Sequence, residues 1–271
     1  MQKLTKVALI LTACSLPIQE VVAKEDLIEQ YLSDIYNYFS VIPEPKPIVN
    51  KWVAISSKNI TTITAGDNIN IKIDPTSKED IKLYAPATGY YTDGSSLNLY
   101  SNSVSKEKYN VKLKSINLLE NIVMNGNATI EGKDLKKDDV ALNIKTTGNS
   151  IVNIQGMIKL KSLSHHSKNK TEITWVDADK LSIDVASGTV KLAGTANDAS
   201  IWSYGQSVVD IPHLRTKNTW IATQQNSHVF SNPIGYFYAH AQNNSLIEHR
   251  GNFKTISVIT KDLANVILHQ L

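Results

Sequence analysis

Residues 181–194 read L-S-I-D-V-A-S-G-T-V-K-L-A-G, and they contain the pattern that decides the fold. On both sides of Ser187-Gly188, apolar side chains alternate with polar ones, which is typical of a β-strand with one buried face. Residues 142–156, L-N-I-K-T-T-G-N-S-I-V-N-I-Q-G, show the same arrangement around a second such turn. The sequence therefore predicts short strands that are joined by turns of Gly, Ser and Asn.

Two sets of apolar positions recur through the second half of the chain, with spacings of 17–22 residues. The first set is Ile130, Ile151, Ile173, Val190, Val208, Val229, Ile247 and Val266, and the second is Leu142, Leu160, Leu181, Ile201, Ile221, Tyr238 and Ile256. A repeat of this length without helices is typical of a parallel β-solenoid, in which stacked turns bury a continuous apolar column. We expect an all-β solenoid with about twenty residues and two short strands per turn.

An antiparallel β-sandwich is the alternative fold, because its strands also recur at short intervals with turn signals between them. The solenoid is favoured because like apolar residues follow like turns, as at Gly148-Asn149-Ser150 and Ser187-Gly188-Thr189. In this scheme Val190 and Val229 occupy equivalent inward sites, and Lys191 points to solvent by alternation.

The N-terminus predicts export. Lys3 and Lys6 precede a short apolar run from Val7 to Ala13, which is too short to cross a membrane. The run closes with Leu11-Thr12-Ala13-Cys14, which resembles the lipobox of bacterial lipoproteins. That resemblance implies that Cys14 becomes the acylated first residue, and Ser15 in place of Asp favours the outer membrane of a Gram-negative-type envelope. An ordinary secretory signal, cut after Ala23 to give a periplasmic or secreted protein, is the alternative.

Between the signal and the repeats, the sequence predicts one helix and a spacer. Ile28, Leu32, Ile35 and Phe39 recur at helical spacing within residues 24–39. The stretch V-I-P-E-P-K-P-I-V follows, and its prolines make it stiff. We therefore divide the chain into a signal peptide at 1–13, the attachment cysteine, helix and spacer at 14–50, and the solenoid at 51–271.

Composition excludes several classes of function. A net charge of +3 does not suit phosphate neutralisation on nucleic acid. The single cysteine excludes an intramolecular disulfide framework and a cysteine metal cluster. His165 and His166 are adjacent and would point to opposite faces of a strand, so we expect no metal site there. Asp177, Asp179 and Asp184 are expected in solvated turns, and we expect no cofactor and no catalytic residue.

The successive repeats resemble a known family. The runs G-N-A-T-I-E-G at 126–132 and I-T-A-G-D-N-I-N-I-K-I at 63–73, with the stretches at 142–156 and 181–194, are similar to the putative auto-transporter adhesin, head GIN domain. The resemblance covers residues 60–271. It implies an exported β-helical protein without an established activity.

Aromatic residues supply the candidate binding site. Trp202, Trp220 and Tyr238 lie 18 residues apart and would stack on successive turns, and Tyr204 and Tyr236 share their face by alternation. An outward row would suit sugars or an adhesive contact, whereas an inward row would fill the core. The apolar Ile256 and Val258 farther along favour the inward direction.

These observations predict a non-enzymatic envelope surface protein that acts in adhesion or scaffolding. The expected partners are a membrane, through the lipid anchor, and a glycan or an envelope protein. The alternatives are a carbohydrate-binding module that uses the aromatic row and a degenerate polysaccharide-active enzyme.

Overall fold

The computed structural model describes residues 51–85, 88–101 and 109–269, and the predicted signal, Cys14, helix and spacer lie outside these residues. The described part is all β. Its strands are β1 (Lys51–Ile55), β2 (Thr62–Ala65), β3 (Ile69–Ile73), β4 (Ile81–Ala85), β5 (Thr88–Asp93), β6 (Ser96–Ser101), β7 (Tyr109–Leu113), β8 (Asn121–Met124), β9 (Thr129–Gly148), β10 (Ile151–Ser167), β11 (Lys170–Thr223), β12 (His228–Ala241), β13 (Leu246–Arg250), β14 (Thr255–Thr260) and β15 (Asn265–His269). None of these residues forms a helix that is long and apolar enough to span a bilayer.

From β9 onward the chain is a parallel β-solenoid with about 19 residues per turn, as the sequence predicts. Pairing between β10 and β11 falls into three blocks, with register shifts after Ile154 and after Lys159. The same three blocks recur between β11 and β12. We call them face A (152–154 in β10), face B (157–159) and face C (162–165). The prediction of two strands per turn is therefore wrong, because each turn has three straight segments separated by corners.

The first turns are stacked out of chain order. Strand β2 pairs in parallel with both β6 and β8, and β3 pairs in parallel with both β7 and β9. The turn formed by β2 and β3 therefore lies between the strands β6 and β7 on one side and the strands β8 and β9 on the other, although all four come later in the chain. Antiparallel strands close this end of the stack, since β4 pairs with β1 and β7, and β5 pairs with β6.

The core is a set of apolar columns that run along the stack. Val229 pairs with Val209 on one side and Ile247 on the other, and all three are fully buried. Val190 is also fully buried, as predicted. Lys191 is half-exposed and forms an ion pair with Asp210.

Several predicted column members are out of register. Ile130 pairs with Val152 rather than Ile151, and Ile173 pairs with Ile154. Val208 pairs with His228, one residue from the column. In the second set, Ile221 pairs with Ala239 rather than Tyr238. These shifts arise because the corners contain different numbers of residues, so a constant spacing along the sequence does not follow the true pairing between turns.

Candidate functional site

The aromatic row lies on face C and points outward. Trp202 is 51% exposed and Tyr236 is 62% exposed, while Trp220, Tyr238 and Tyr204 are half-buried. Between them stand buried residues such as Thr219 and Phe237, which pair with each other and face the core. The prediction that the row points inward, which was based on Ile256 and Val258, is therefore wrong. Tyr238 pairs with Ser257, whereas Ile256 and Val258 pair with the inward-facing Phe237 and Ala239.

The rings form a contiguous ladder. Trp220 and Tyr238 are direct partners in the register, and their ring planes are parallel within 4° at a centroid distance of 6.0 Å. The centroids of Trp202 and Trp220 are 4.4 Å apart with the planes inclined by 56°. These three side chains therefore pack on one another along the axis of the solenoid, as the spacing of 18 residues suggests.

Trp202 reaches Trp220 along a diagonal. The backbone N–H of Gln224 donates to the carbonyl of Ser203, so this part of the turn is offset by 20 residues and Trp202 is in line with Ala222. The large indole ring spans the step between the two positions. Because Trp202 lies at the end of the ladder, it keeps much of its surface exposed to solvent.

A groove of about 330 Å³ runs beside the ladder, on face C. Trp220, Tyr236 and Tyr238 line it together with the polar side chains of Asp198 and Asn218. The Asn218 amide donates to the Asp198 carboxylate at 2.6 Å, which fixes both side chains at the surface. The groove thus combines apolar rings with polar groups that are already held in place.

A second group on face C was missed by the sequence analysis as a site. His166 Nε2 lies 2.8 Å from the Asp184 carboxylate and 3.4 Å from the Tyr204 hydroxyl. Burial, and then the negative charge of Asp184, raise the pKa of Tyr204 above its ordinary value. The spacings of 18 and 20 residues, close to one turn each, are the signal that could have revealed this cluster. It places polar, hydrogen-bonding groups on the same face as the rings.

The adjacent histidines do not act together. His165 is fully buried, its Nε2 donates to the Asn169 carbonyl at 3.1 Å, and its Nδ1 is 2.7 Å from the Thr146 hydroxyl. His166 points outward, so the two rings lie on opposite faces, as predicted. Within the described ranges, no cluster of three His, Cys, Asp or Glu side chains could hold a metal ion.

The three aspartates at positions 177, 179 and 184, which are close in sequence, have separate surroundings in the structure. Asp179 accepts a hydrogen bond from the Asn197 amide at 2.8 Å, and Asp184 contacts His166. Asp177 is exposed. The partners of Asp179 and Asp184 are thus an amide and an imidazole.

Known structures share this fold at low sequence identity. A putative lipid binding protein from Parabacteroides distasonis is 15% identical over 81% of this chain and 95% of its own, with a TM-score of 0.65. Putative adhesins from Bacteroides fragilis and Parabacteroides merdae are each 18% identical. The first covers 83% of this chain and 99% of its own with a TM-score of 0.58. The second covers 81% and 95% with a TM-score of 0.64.

No curated protein matches the chain. The family model of the putative auto-transporter adhesin, head GIN domain, matches residues 59–252. This match spans most of the solenoid, from the strands of the inserted turn to β13, and agrees with the resemblance seen in the repeats. The protein therefore belongs to the putative auto-transporter adhesin, head GIN domain family.

Proposed function

We propose that this protein is a non-enzymatic surface protein of the cell envelope that acts in adhesion or scaffolding through the outer side of face C. The observation that carries the proposal is the outward-facing ladder of Trp202, Trp220 and Tyr238, in which Trp202 is exposed and the other two rings are half-buried. Adjacent aromatic rings on a protein surface mark an interaction surface, because each ring has a large apolar area and transferring that area from water to a partner lowers the free energy.

Two further facts support this role. The family is described as an adhesin head domain, and known structures with the same fold include proteins described as adhesins. The strands that carry the ladder are also paired with strands of adjacent turns, so their backbone is ordered before a partner binds and little backbone entropy is lost on binding.

The test uses two candidate targets, mucin for adhesion and peptidoglycan for envelope scaffolding. Beads coated with the protein are retained on one of the two surfaces, and the combined change Trp202→Ala and Trp220→Ala lowers retention about tenfold. Trp175→Ala is the matched control, because Trp175 is 48% exposed but lies on face B. Absence of retention on both surfaces, or an equal loss in the control, would refute the proposal.

A carbohydrate-binding module is the second candidate, favoured by the groove beside the ladder. Tyr236 offers an exposed ring and Asp198 and Asn218 offer fixed polar groups, which is the combination that binds sugars by stacking and hydrogen bonding. An array of soluble oligosaccharides distinguishes the two candidates. Binding of one glycan class that Tyr236→Ala abolishes supports the module, whereas an inactive array combined with bead retention supports adhesion to other polymers.

Export and lipid anchoring are part of the proposal. They rest on the Leu11-Thr12-Ala13-Cys14 motif, which would place the mature protein in the outer membrane. Cells that express the protein incorporate labelled palmitate into it, and Cys14→Ser abolishes the label. Equal labelling of the variant, or a mature N-terminus at Lys24 found by mass spectrometry, contradicts the anchor and favours a periplasmic or secreted protein.

A further inference from the structure

Two successive turns near the end of the solenoid contain no acidic residue. Residues 211–247 include neither Asp nor Glu, and at about 19 residues per turn this stretch covers two turns. The same stretch contains Arg215 and Lys217, and Lys254 lies in the turn that follows. This part of the solenoid therefore has basic side chains and no acidic side chain of the same two turns to neutralise them.

The basic side chains lie on the outer side of face B and at its edge. Arg215 and Lys217 are exposed on either side of the buried Thr216. A Cβ on Gly235 would lie 2.1 Å from the Lys217 carbonyl oxygen, so Gly235 packs directly against Lys217 in the next turn. On the other side of Gly235, the backbone N–H of the exposed Lys254 donates to the Gly235 carbonyl at 2.9 Å. The two lysines are therefore two steps of about 4.8 Å apart along the axis.

These three cations form no ion pair with any residue that the structure describes. Acidic side chains of the adjacent turns have other partners. The Asp198 carboxylate accepts a hydrogen bond from the Asn218 amide at 2.6 Å, and Glu248 lies on face A, where it contacts His228. The positive charge on this side of the solenoid is therefore available to an anionic partner.

Exposed apolar side chains lie between the two lysines and indicate which kind of anionic partner fits. Ile234 is 46% exposed and Tyr236 is 62% exposed, and they flank Gly235 on the strand between the lysines. A hydrated polysaccharide or a free anion offers an isoleucine no apolar surface, whereas the boundary between headgroups and acyl chains of a membrane does. A tyrosine suits the same boundary, because its ring is apolar and its hydroxyl is polar.

We propose that this part of face B docks on a membrane surface with anionic phosphate headgroups. Arg215, Lys217 and Lys254 contact the phosphates, and Ile234 and Tyr236 enter the layer between headgroups and acyl chains. Because face B runs along the side of the solenoid, docking lays the solenoid axis along the membrane. This surface is separate from the ladder on face C and does not depend on acylation of the chain.

The test uses the full chain with Cys14→Ser, so that acylation does not contribute to membrane binding. The protein binds vesicles made of phosphatidylcholine and phosphatidylglycerol in equal parts, and cosedimentation measures the partition coefficient. The combined change Arg215→Gln and Lys217→Gln lowers this coefficient about thirtyfold, because each cation near an anionic surface contributes about fivefold. Ile234→Ser lowers it about fivefold, because apolar area is lost from the contact.

The matched control combines Lys145→Gln with Lys168→Gln, which removes the same charge from exposed positions on earlier turns and outside face B. Circular dichroism shows that every variant keeps its β-structure. Absence of binding, equal binding to vesicles of phosphatidylcholine alone, an equal loss in the control, or an unchanged coefficient in either face B variant would overturn the proposal. Release from the vesicles by inorganic phosphate or by polygalacturonate would assign the surface to a free anion or an acidic polysaccharide instead, and would overturn it as well.

Discussion

Replacing Val229 by Asp tests the apolar column on which the fold depends. Val229 is fully buried between Val209 and Ile247, which are its partners in the two adjacent turns and are also fully buried. Neither neighbour has a polar side-chain atom. A carboxylate at this position would therefore have no side-chain partner within the column.

The expected cost has two parts. Loss of a fully buried Val side chain removes about 1.5–3 kcal/mol of apolar burial. Burying a polar group without a hydrogen bond adds about 1–3 kcal/mol on the scale of protein mutations, and more if the carboxyl stays ionised. The sum of about 2.5–6 kcal/mol is a large part of the roughly 5–15 kcal/mol that stabilises a typical domain.

Urea unfolding, followed by tryptophan fluorescence, measures the free energy of unfolding. Val229→Ala separates the cavity from the polar group, because it removes volume and adds no charge. Gln206→Asp adds the same charge at an exposed position and should change the free energy by less than about 0.5 kcal/mol. Lys191→Asp is a poorer control, since it would face Asp210. A loss of less than about 1 kcal/mol for Val229→Asp would refute a dry, continuous column.

Two further predictions concern the corners and the buried histidines. Gly194→Ala lowers the free energy of unfolding by more than about 2 kcal/mol, which a thermal melt measures. The added Cβ would lie 2.0 Å from the Val176 carbonyl oxygen, and the φ of 125° is unfavourable for alanine. Burial lowers the pKa of His165 and of His249, so the unfolded chain binds more protons than the folded one below the ordinary histidine pKa of about 6.5. The free energy of unfolding therefore falls as the pH drops below that value. In His165→Gln the slope of the unfolding free energy against pH is smaller, because one of the two buried histidines is absent. An unchanged slope would contradict a lowered pKa of His165 in the folded protein.

The candidate site was partly predictable. The spacing of Trp202, Trp220 and Tyr238 correctly indicated a ladder, because rings one turn apart lie next to each other in a solenoid. Its direction was predicted wrongly, since Tyr238 was aligned with the apolar Ile256, whereas its partner in the register is Ser257. A shift of one residue moves a side chain to the opposite face of a strand. The groove at Asp198 and Asn218 could not be predicted, because it depends on three turns being in register at once.

The sequence alone determined the class of fold, the approximate length of a turn and the inward direction of residues such as Val190 and Val229. These properties are local, because side-chain direction alternates along each strand and each turn repeats the same short pattern. Only the tertiary structure decided the register between turns and the insertion of β2 and β3 between later strands. Register accumulates over corners of unequal length, and strand order depends on contacts between distant segments, so neither is encoded in the alternation of any single turn.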